Sequence, residues 1–253
     1  MARKKLYVDN VDLSTFGVYI SGQGTFGAPE REYTYYDVPG KDGAIPGYST
    51  RLRNIEVSYE CFIYTNFAAN IRDLRSFLLS KTGYVRIEDD YDTTHYRMGI
   101  YEGPFEPKVT AINNAGSFTL TFNCQPQRWL KSGEQYVTLT GLNPTITNPT
   151  IFKAKPLVRV QAASSTVPDI SFGGVKIIID DTVKTDLGFT YVDIDCETQN
   201  VYNGTTNLAA YVAFKDSGSS VYGLDAPTLA PGVNTIYQSN GVTIYITPRW
   251  WEL

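Results

Sequence analysis

The chain has 253 residues and a net charge of −4 at pH 7, and 42% of its residues are hydrophobic. That length and composition suit one or two globular domains, and no apolar run approaches the roughly 18–20 residues of a membrane helix, so no membrane insertion is expected. Acidic residues outnumber basic ones, 26 to 22, with no basic stripe of the kind that displaces counterions from phosphates, so specific nucleic-acid binding is not expected.

The N-terminal segment carries no signal for secretion or nucleotide binding. Met1–Tyr7 is basic, but no apolar stretch follows it, so the protein is expected to be made and folded in a cytosol. Gly22, Gly24 and Gly27 fit the G-x-G-x-x-G template behind a strand expected at Phe16–Ile20. A dinucleotide also needs a helix N-terminus after the template, and the Tyr-rich sequence that follows has no helical period. A Gly-rich turn is the simpler interpretation, and no cofactor is expected.

An aromatic run follows, in a chain with 19 Tyr, 12 Phe and 3 Trp. Tyr33–Tyr36 precedes Val38–Gly43, in which Pro39 and Gly40 suit the central positions of a type II turn. Tyrosine combines a large contact area with a polar tip and is enriched at protein interfaces. The pattern predicts a stiff double turn beside an aromatic strand, and either an ordinary surface hairpin or a subunit interface fits it. The candidate interface residues are Tyr33, Tyr35, Tyr36, Val38, Pro39, Gly40 and Gly43.

The rest of the first half predicts strands and one helix. Apolar and polar residues alternate at Ile55–Ile63 and Ser117–Cys124, as they do in half-buried strands. Between these segments, apolar residues recur on a single helical face, which predicts a helix over residues 66–81. Asn66 is expected to cap its start and Gly83 to end it. The first half is therefore expected to be a β domain with one α-helix.

Acidic and metal-ligating residues form no recognisable catalytic site. The carboxylates of Glu88–Asp92 could bind Ca²⁺ or hydrolyse a glycosidic bond, but their position between two expected strands suits a solvated hairpin tip. His95 is the only histidine, and the three cysteines form no Cys-x-x-Cys motif, so a zinc site is not expected. Cys61 and Cys124 are expected to be small buried residues. No nucleophile motif is present, and the protein is expected not to be an enzyme.

The second half is expected to be a β-sandwich of jelly-roll type. Turn signals separate strand candidates at Leu157–Gln161, Val175–Ile179, Thr190–Asp195, Ala209–Phe214 and Val242–Thr247. Asn203-Gly204 and Asn240-Gly241 are expected to form hairpin turns, because Asn and Gly tolerate a positive φ. Asp193, Asp195 and Glu197 alternate and are expected on the wet face of one strand.

The boundary between the two halves is expected near residue 135. The helical pattern is lost there, and stretches rich in Gly, Asn and Pro follow. The predicted domains are residues 1–135 and 136–253.

Short motifs occur in one order along nearly the whole chain, about residues 5–250. They are Val38–Gly43 (V-P-G-x-D-G), Ser117–Pro126 (close to G-x-F-x-L-x-F-x-C-x-P), Asn148–Thr150, Lys155–Val158, Ile194–Glu197, Leu229–Asn234 and Ile246–Arg249. Each motif is weak alone. Together they resemble the distal tail protein (Dit) family of siphophages, the long-tailed, non-contractile phages, and the resemblance is close to the member from a Bacillus siphophage.

The resemblance implies a structural virion protein at the distal end of the phage tail, made in the host cytoplasm and assembled as a homohexameric ring. The N-terminal β domain would close the ring and stack on the tail-tube protein, and a C-terminal galectin-like sandwich would point outward. The tail-tip or tail-associated lysin protein would lie below, and DNA would pass through the central hole. Residues 136–253 are only just enough for the sandwich, so docking through the inserted arm by which some lactococcal relatives grip receptor-binding proteins is not expected.

A second function of another class stays open at this point. The C-terminal domain could be a carbohydrate-binding module that contacts the host cell wall, with Trp250 and Trp251 as stacking platforms. Adjacent strand residues point to opposite faces, so at most one of the two rings can serve a given groove. A buried position for one tryptophan, closing the sandwich, is the simpler expectation.

Overall fold

A computed structural model describes residues 3–22, 24–47, 51–110, 114–162 and 168–253. The chain divides into two compact units, Met1–Arg128 with Leu253, and Trp129–Glu252. Strands make up 48% of the chain and helices 11%, which confirms the mainly β fold. No helix in the described ranges is long and apolar enough to cross a membrane.

The first unit contains one large sheet, a small two-stranded sheet and one helix. Its elements are β1 (Leu6–Val8), β2 (Val11–Asp12), β3 (Val18–Ser21), β4 (Thr34–Tyr36), β5 (Ile45–Gly47), β6 (Ile55–Ile63), α1 (Phe67–Leu79), β7 (Val85–Asp89), β8 (Asp92–Tyr101), β9 (Lys108–Thr110) and β10 (Ala115–Leu130). The strand order in the large sheet is β2-β1-β7-β8-β10-β6-β3, and β9 also pairs with β10. β4 and β5 pair only with each other.

The two strands with the strictest alternation are neighbours in the large sheet. β6 and β10 pair antiparallel from Ile55↔Cys124 to Ile63↔Gly116. Their apolar positions are buried on one face, and Leu74 and Leu78 of α1 belong to the same core. The alternation therefore specifies both the strands and the face that packs against the rest of the core.

The predicted helix is confirmed, but its start is built differently. Asn66 precedes α1 with a left-handed φ of 51°, and its side chain makes no capping hydrogen bond. The Phe67 backbone N–H instead donates to Asn114 Oδ1, at 3.2 Å, so a residue distant in sequence serves as the cap. The helix ends at Leu79 with Ser80 as its capping residue, before Gly83.

All three cysteines are buried free thiols. Cys61 and Cys124 lie in the core of the first unit and Cys196 lies in the core of the second, so the prediction of small buried residues is confirmed. Burial raises the pKa of each thiol to about 12.

The second unit is a sandwich of two main sheets. Its further elements are β11 (Val137–Leu139), β12 (Thr145–Asn148), β13 (Leu157–Ala162), β14 (Asp169–Phe172), β15 (Val175–Ile179), α2 (Thr182–Thr185), β16 (Tyr191–Asp195), β17 (Asn200–Asn203), β18 (Thr206–Asn207), β19 (Val212–Asp216), β20 (Gly232–Thr235), β21 (Tyr237–Gln238), β22 (Val242–Thr247) and β23 (Trp251–Glu252). One sheet has the order β11-β22-β13-β16-β17-β18 and the other β19-β15-β14-β21. β12 pairs with β20, and residues from both main sheets form one core.

The turn predictions in this unit differ in outcome. Asn203-Gly204 joins the paired strands β17 and β18, as expected. Asn240-Gly241 joins β21 in one sheet to β22 in the other, so the expected hairpin there is wrong. The segment expected as a strand from Ala209 begins with a 3-10 turn, and β19 starts only at Val212.

The expected wet face of β16 also needs correction. Asp193 does point away from the sandwich core, but it is only 5% exposed because Arg159 covers it in a two-point ion pair. Asp195 makes a similar two-point contact with Arg249. Of the three acidic residues, only Glu197 is mainly solvated.

Candidate functional site

The candidate interface residues lie together on one long hairpin. We call residues 30–47 and 51–53 the aromatic hairpin. β4 and β5 pair through Thr34↔Gly47, Tyr35↔Pro46 and Tyr36↔Ile45. Backbone hydrogen bonds extend the pairing toward the base of the hairpin, from Glu32 N–H to the Arg51 carbonyl at 3.0 Å and from Arg53 N–H to the Glu30 carbonyl at 2.8 Å.

The tip of the aromatic hairpin is the predicted stiff turn. The Lys41 N–H donates to the Val38 carbonyl at 3.1 Å, which closes a four-residue turn. Gly40 has a φ of +79° at the third position, as a type II turn requires, and Pro39 fixes the second. Gly43 has a φ of +76°, so the second turn also depends on glycine. Val38, Pro39, Gly40 and Gly43 therefore fix the shape of the tip.

The described side chains of the aromatic hairpin are largely open to solvent in the free chain. None of its described residues is buried. The exposed fractions are 47% for Tyr33, 64% for Tyr35, 59% for Tyr36, 39% for Val38 and 41% for Ile45. A two-stranded hairpin is marginally stable alone in water, and contiguous exposed apolar surface marks interaction sites. The geometry thus suits a surface that another protein covers.

The other glycine motif has no phosphate-binding geometry. Gly22 and Gly24 have φ values of +102° and +94° just after β3, while Gln23 lies outside the described residues. The described residues 24–33 contain no helix. A cradle for a pyrophosphate needs a helix N-terminus, and the described residues 24–33 offer none.

The acidic cluster forms a hydrogen-bonded hairpin tip rather than a solvated one. Asp89 accepts hydrogen bonds from the Tyr59 hydroxyl and the Tyr91 N–H, both at 2.8 Å. Asp92 contacts Arg128 and lies 2.8 Å from His95 Nδ1. Burial favours the protonated form of Asp92, but hydrogen bonds from Thr94 and His95 outweigh it and lower its pKa to about 2. Within the described ranges, no group of His, Cys, Asp or Glu could hold a metal ion.

One arginine beside this cluster is buried, and its burial could not be predicted from the sequence. Arg97 is 5% exposed, and its Nη1 has no hydrogen-bond partner among the described residues. Burial and the nearby charge of Arg128 lower its pKa. It shares its register in β8 with His95 and Gly99, whereas the apolar Met98 and Ile100 lie in the alternate register, so the alternation gives no sign that position 97 is buried.

The tryptophan pair is not a free stacking platform. Trp250 is 5% exposed in the sandwich core, which confirms the expected burial of one tryptophan. Trp251 stacks on Phe152 with ring centroids 4.3 Å apart, and its Nε1 donates to the Lys153 carbonyl at 3.0 Å. Trp250 is therefore not available to a sugar, and Phe152 covers one face of the Trp251 ring.

The fold resembles that of a solved phage protein over its whole length. No family model matches the sequence, and no curated protein is significantly similar to it. The structure of the Dit protein (gp 19.1) of SPP1, described as a paradigm of the hub adsorption apparatus in phages that infect Gram-positive bacteria, matches with a TM-score of 0.63 at 14% identity, and the match covers 100% of both chains. The described fold is therefore that of SPP1 Dit.

Two weaker matches come from the baseplate of phage P2. Its activated conformations with Ca and with Sr give TM-scores of 0.47 and 0.45 at 12% and 11% identity, each over 97% of this chain and 98% of the other. At these identities, the expected closeness to the member from a Bacillus siphophage is not confirmed.

Proposed function

We propose that this chain is a structural distal tail protein that forms the hub of a siphophage tail tip. The observation that carries the proposal is the shared fold with SPP1 Dit, which extends through both units from end to end. A match limited to the sandwich would support many functions, because that architecture is common to unrelated proteins. The ordered motifs along the sequence support the same family.

In this proposal six copies form a ring, and the aromatic hairpin makes the contact between neighbouring subunits. Stable subunit contacts bury at least about 1,000 Å² around an aromatic-rich centre. The exposed Tyr33, Tyr35 and Tyr36 are suited to such a centre. The ring joins the tail-tube protein above to the tail-tip or tail-associated lysin protein below, and it has no enzymatic role.

The charge of the chain suits a conduit for DNA. A passage that DNA crosses should not hold phosphates, and the net charge of −4 offers no attractive field for them. The protein would lie at the distal end of the virion tail, after synthesis in the host cytoplasm.

Native mass spectrometry of the full chain tests the ring. We expect a six-chain mass at about 10 µM and smaller species for the double variant Tyr35→Ser/Tyr36→Ser, whose lost aromatic area weakens the contact. The matched control is Tyr222→Ser/Tyr237→Ser, which changes two equally exposed tyrosines of the second unit. A monomeric wild-type protein would contradict the ring, and an intact hexamer in the first variant would contradict the assigned contact.

Immunogold labelling of the virion tests the location. Label is expected only at the tail end far from the head. Label on the head or along the tube would contradict a hub role, whatever the mass of the isolated protein.

A further inference from the structure

The outer face of the six-stranded sheet carries an ordered row of polar and aromatic side chains. The register places Tyr245 opposite Arg159, Arg159 opposite Asp193, and Asp193 opposite Tyr202, across β22, β13, β16 and β17. Directly opposed residues share one face of a sheet. The inward-pointing neighbours, such as Val158 and Ile244, are fully buried in the sandwich core. The row is therefore on the side of the sheet that points away from the core.

An ion pair at the centre of the row is rigid and almost neutral overall. Arg159 Nε lies 2.7 Å from Asp193 Oδ1, and Nη2 lies 2.8 Å from Oδ2. The guanidinium also lies 4.2 Å from the centre of the Tyr191 ring. Such a two-point contact fixes both side chains. Nη1 donates to no described residue, so it can serve a ligand.

A cavity of about 380 Å³ lies over this ion pair. Tyr136, Tyr191 and Tyr245 line it, and the rings of Tyr136 and Tyr245 meet edge to face at 5.7 Å. Their three hydroxyl groups hydrogen-bond to no described residue. A second, more open cavity of about 430 Å³ lies further across the same sheet, where Tyr202 and Asn207 line it. The two cavities share no lining residue, and we call the first, with its three tyrosines, the tyrosine groove.

The residues that line the first cavity suit one class of ligand. Its lining carries one positive and one negative side chain, which neutralise each other, together with aromatic rings, Gln161 and Thr247. A site of this size, with flat apolar surfaces and a few fixed polar groups, suits a ligand that is itself apolar on one side and rich in hydroxyl groups at its edge. A strongly charged ligand would find no uncompensated counter-charge there.

We propose that this groove binds a neutral oligosaccharide. The exposed ring of Tyr136 stacks on a sugar ring, Tyr245 supports Tyr136 edge to face, and Arg159 and Gln161 exchange hydrogen bonds with the hydroxyl groups of the sugar. The surface for a glycan is thus the tyrosine-lined sheet face and not the Trp250–Trp251 pair. The proposal goes beyond the hub role and does not rest on it, because all of the groove lies in the second unit.

Calorimetric titration of the full-length protein tests the site. The probes are maltotriose, chitotriose and laminaritriose, which are neutral, and trigalacturonate as an anionic probe of equal length. We expect saturable binding of at least one neutral trisaccharide with a Kd below about 5 mM, and at least tenfold weaker binding of trigalacturonate. Tyr136→Ala and Tyr245→Ala should each weaken the neutral probe at least tenfold. Tyr136 is 64% exposed, so its variant carries little risk to folding.

The matched control is Tyr237→Ala, which removes a tyrosine that is 57% exposed on β21 of the other sheet. It should bind the trisaccharide within about twofold of the wild type. Circular dichroism and native mass for every variant separate loss of the site from loss of fold or of the ring. No saturable binding of any neutral probe at about 20 mM, tightest binding of trigalacturonate, or equal binding by the folded Tyr136→Ala variant would each overturn the proposal.

Discussion

Among single residues, Asp92 has the clearest consequence for stability. Its carboxylate connects the β7–β8 turn to Arg128 and His95, and its side chain is 28% exposed. The folded-state pKa of about 2 lies below the ordinary value of 3.8. A carboxyl group with a lowered pKa stabilises the fold above its unfolded pKa, and that stabilisation is lost as the pH falls through the folded value.

We therefore expect Asp92→Asn to lower the free energy of unfolding at pH 7 by about 1–2 kcal/mol, after allowing for solvent screening. The difference from the wild type should shrink as the pH falls from about 4 toward 2. Urea unfolding at several pH values measures it. Asp42→Asn, at an exposed position of the hairpin tip, is the control and should change little. A loss that is constant with pH would show that the carboxylate charge is not the cause.

Residue-scale features were the least predictable from sequence. Arg128 pairs with Asp92 and Arg159 pairs with Asp193, in each case between two strands. The sequence does not show which strands lie side by side. Arg97 is buried although the apolar alternation of β8 falls on its neighbours Met98 and Ile100. Charge alone could not show which acidic side chains are covered, because covering depends on long-range strand pairing.

At the scale of elements, only one face of α1 packs against the core, and substitutions can test which face it is. Leu74 is fully buried, whereas Leu79 on the same helix is 64% exposed. Leu74→Ala should lower the free energy of unfolding by about 2–5 kcal/mol, because it leaves a cavity in the core. Leu79→Ala should stay within about 0.5 kcal/mol of the wild type. Thermal or urea unfolding measures both, and similar losses for the two variants would contradict the assigned face.

The aromatic hairpin should behave as a separate cooperative unit. Because none of its described residues is buried, its amide hydrogens should exchange with solvent at least about 100-fold faster than those of β6 whenever the subunit is free. Assembly should slow them. Hydrogen exchange followed by mass spectrometry, on dilute and concentrated samples, measures this. Protection of the hairpin in the dilute monomer would mean that it docks on its own subunit.

Regular elements could be predicted well because each has a local pattern. The alternation at Ile55–Ile63 matches β6 to the residue, and the proline and glycine of the tip determine its turn. The hairpin predicted at Asn240-Gly241 was wrong because a tight turn also occurs where the chain passes from one sheet to another. The cap of α1 comes from Asn114, distant in sequence, and no local pattern indicates it.

For the whole molecule, the proposed ring should depend on apolar contact more than on charge. Exposed ion pairs are screened at high salt, with a Debye length of about 3 Å at 1 M. The exposed contact residues Tyr33, Tyr35, Tyr36 and Val38 carry no charge at neutral pH. The native mass should therefore stay unchanged from about 50 mM to 1 M NaCl. Dissociation at high salt would assign the contact to charged groups instead.

The mainly β fold could be predicted because apolar and polar residues alternate along much of the chain. The tyrosine groove could not be found in this way. Arg159, Asp193 and Tyr245 come from three strands spread over the second unit, and only the antiparallel register brings them side by side. Tyr136 directly precedes β11 and joins them through its contact with Tyr245.

The buried thiols have a consequence for durability. Oxidants and disulfide exchange act on the thiolate, and with pKa values of about 12 the three cysteines hold almost none of it at neutral pH. The protein should therefore keep one covalent state in reducing and in air-saturated solution. In the proposed ring, the thiols should form no cross-links between subunits.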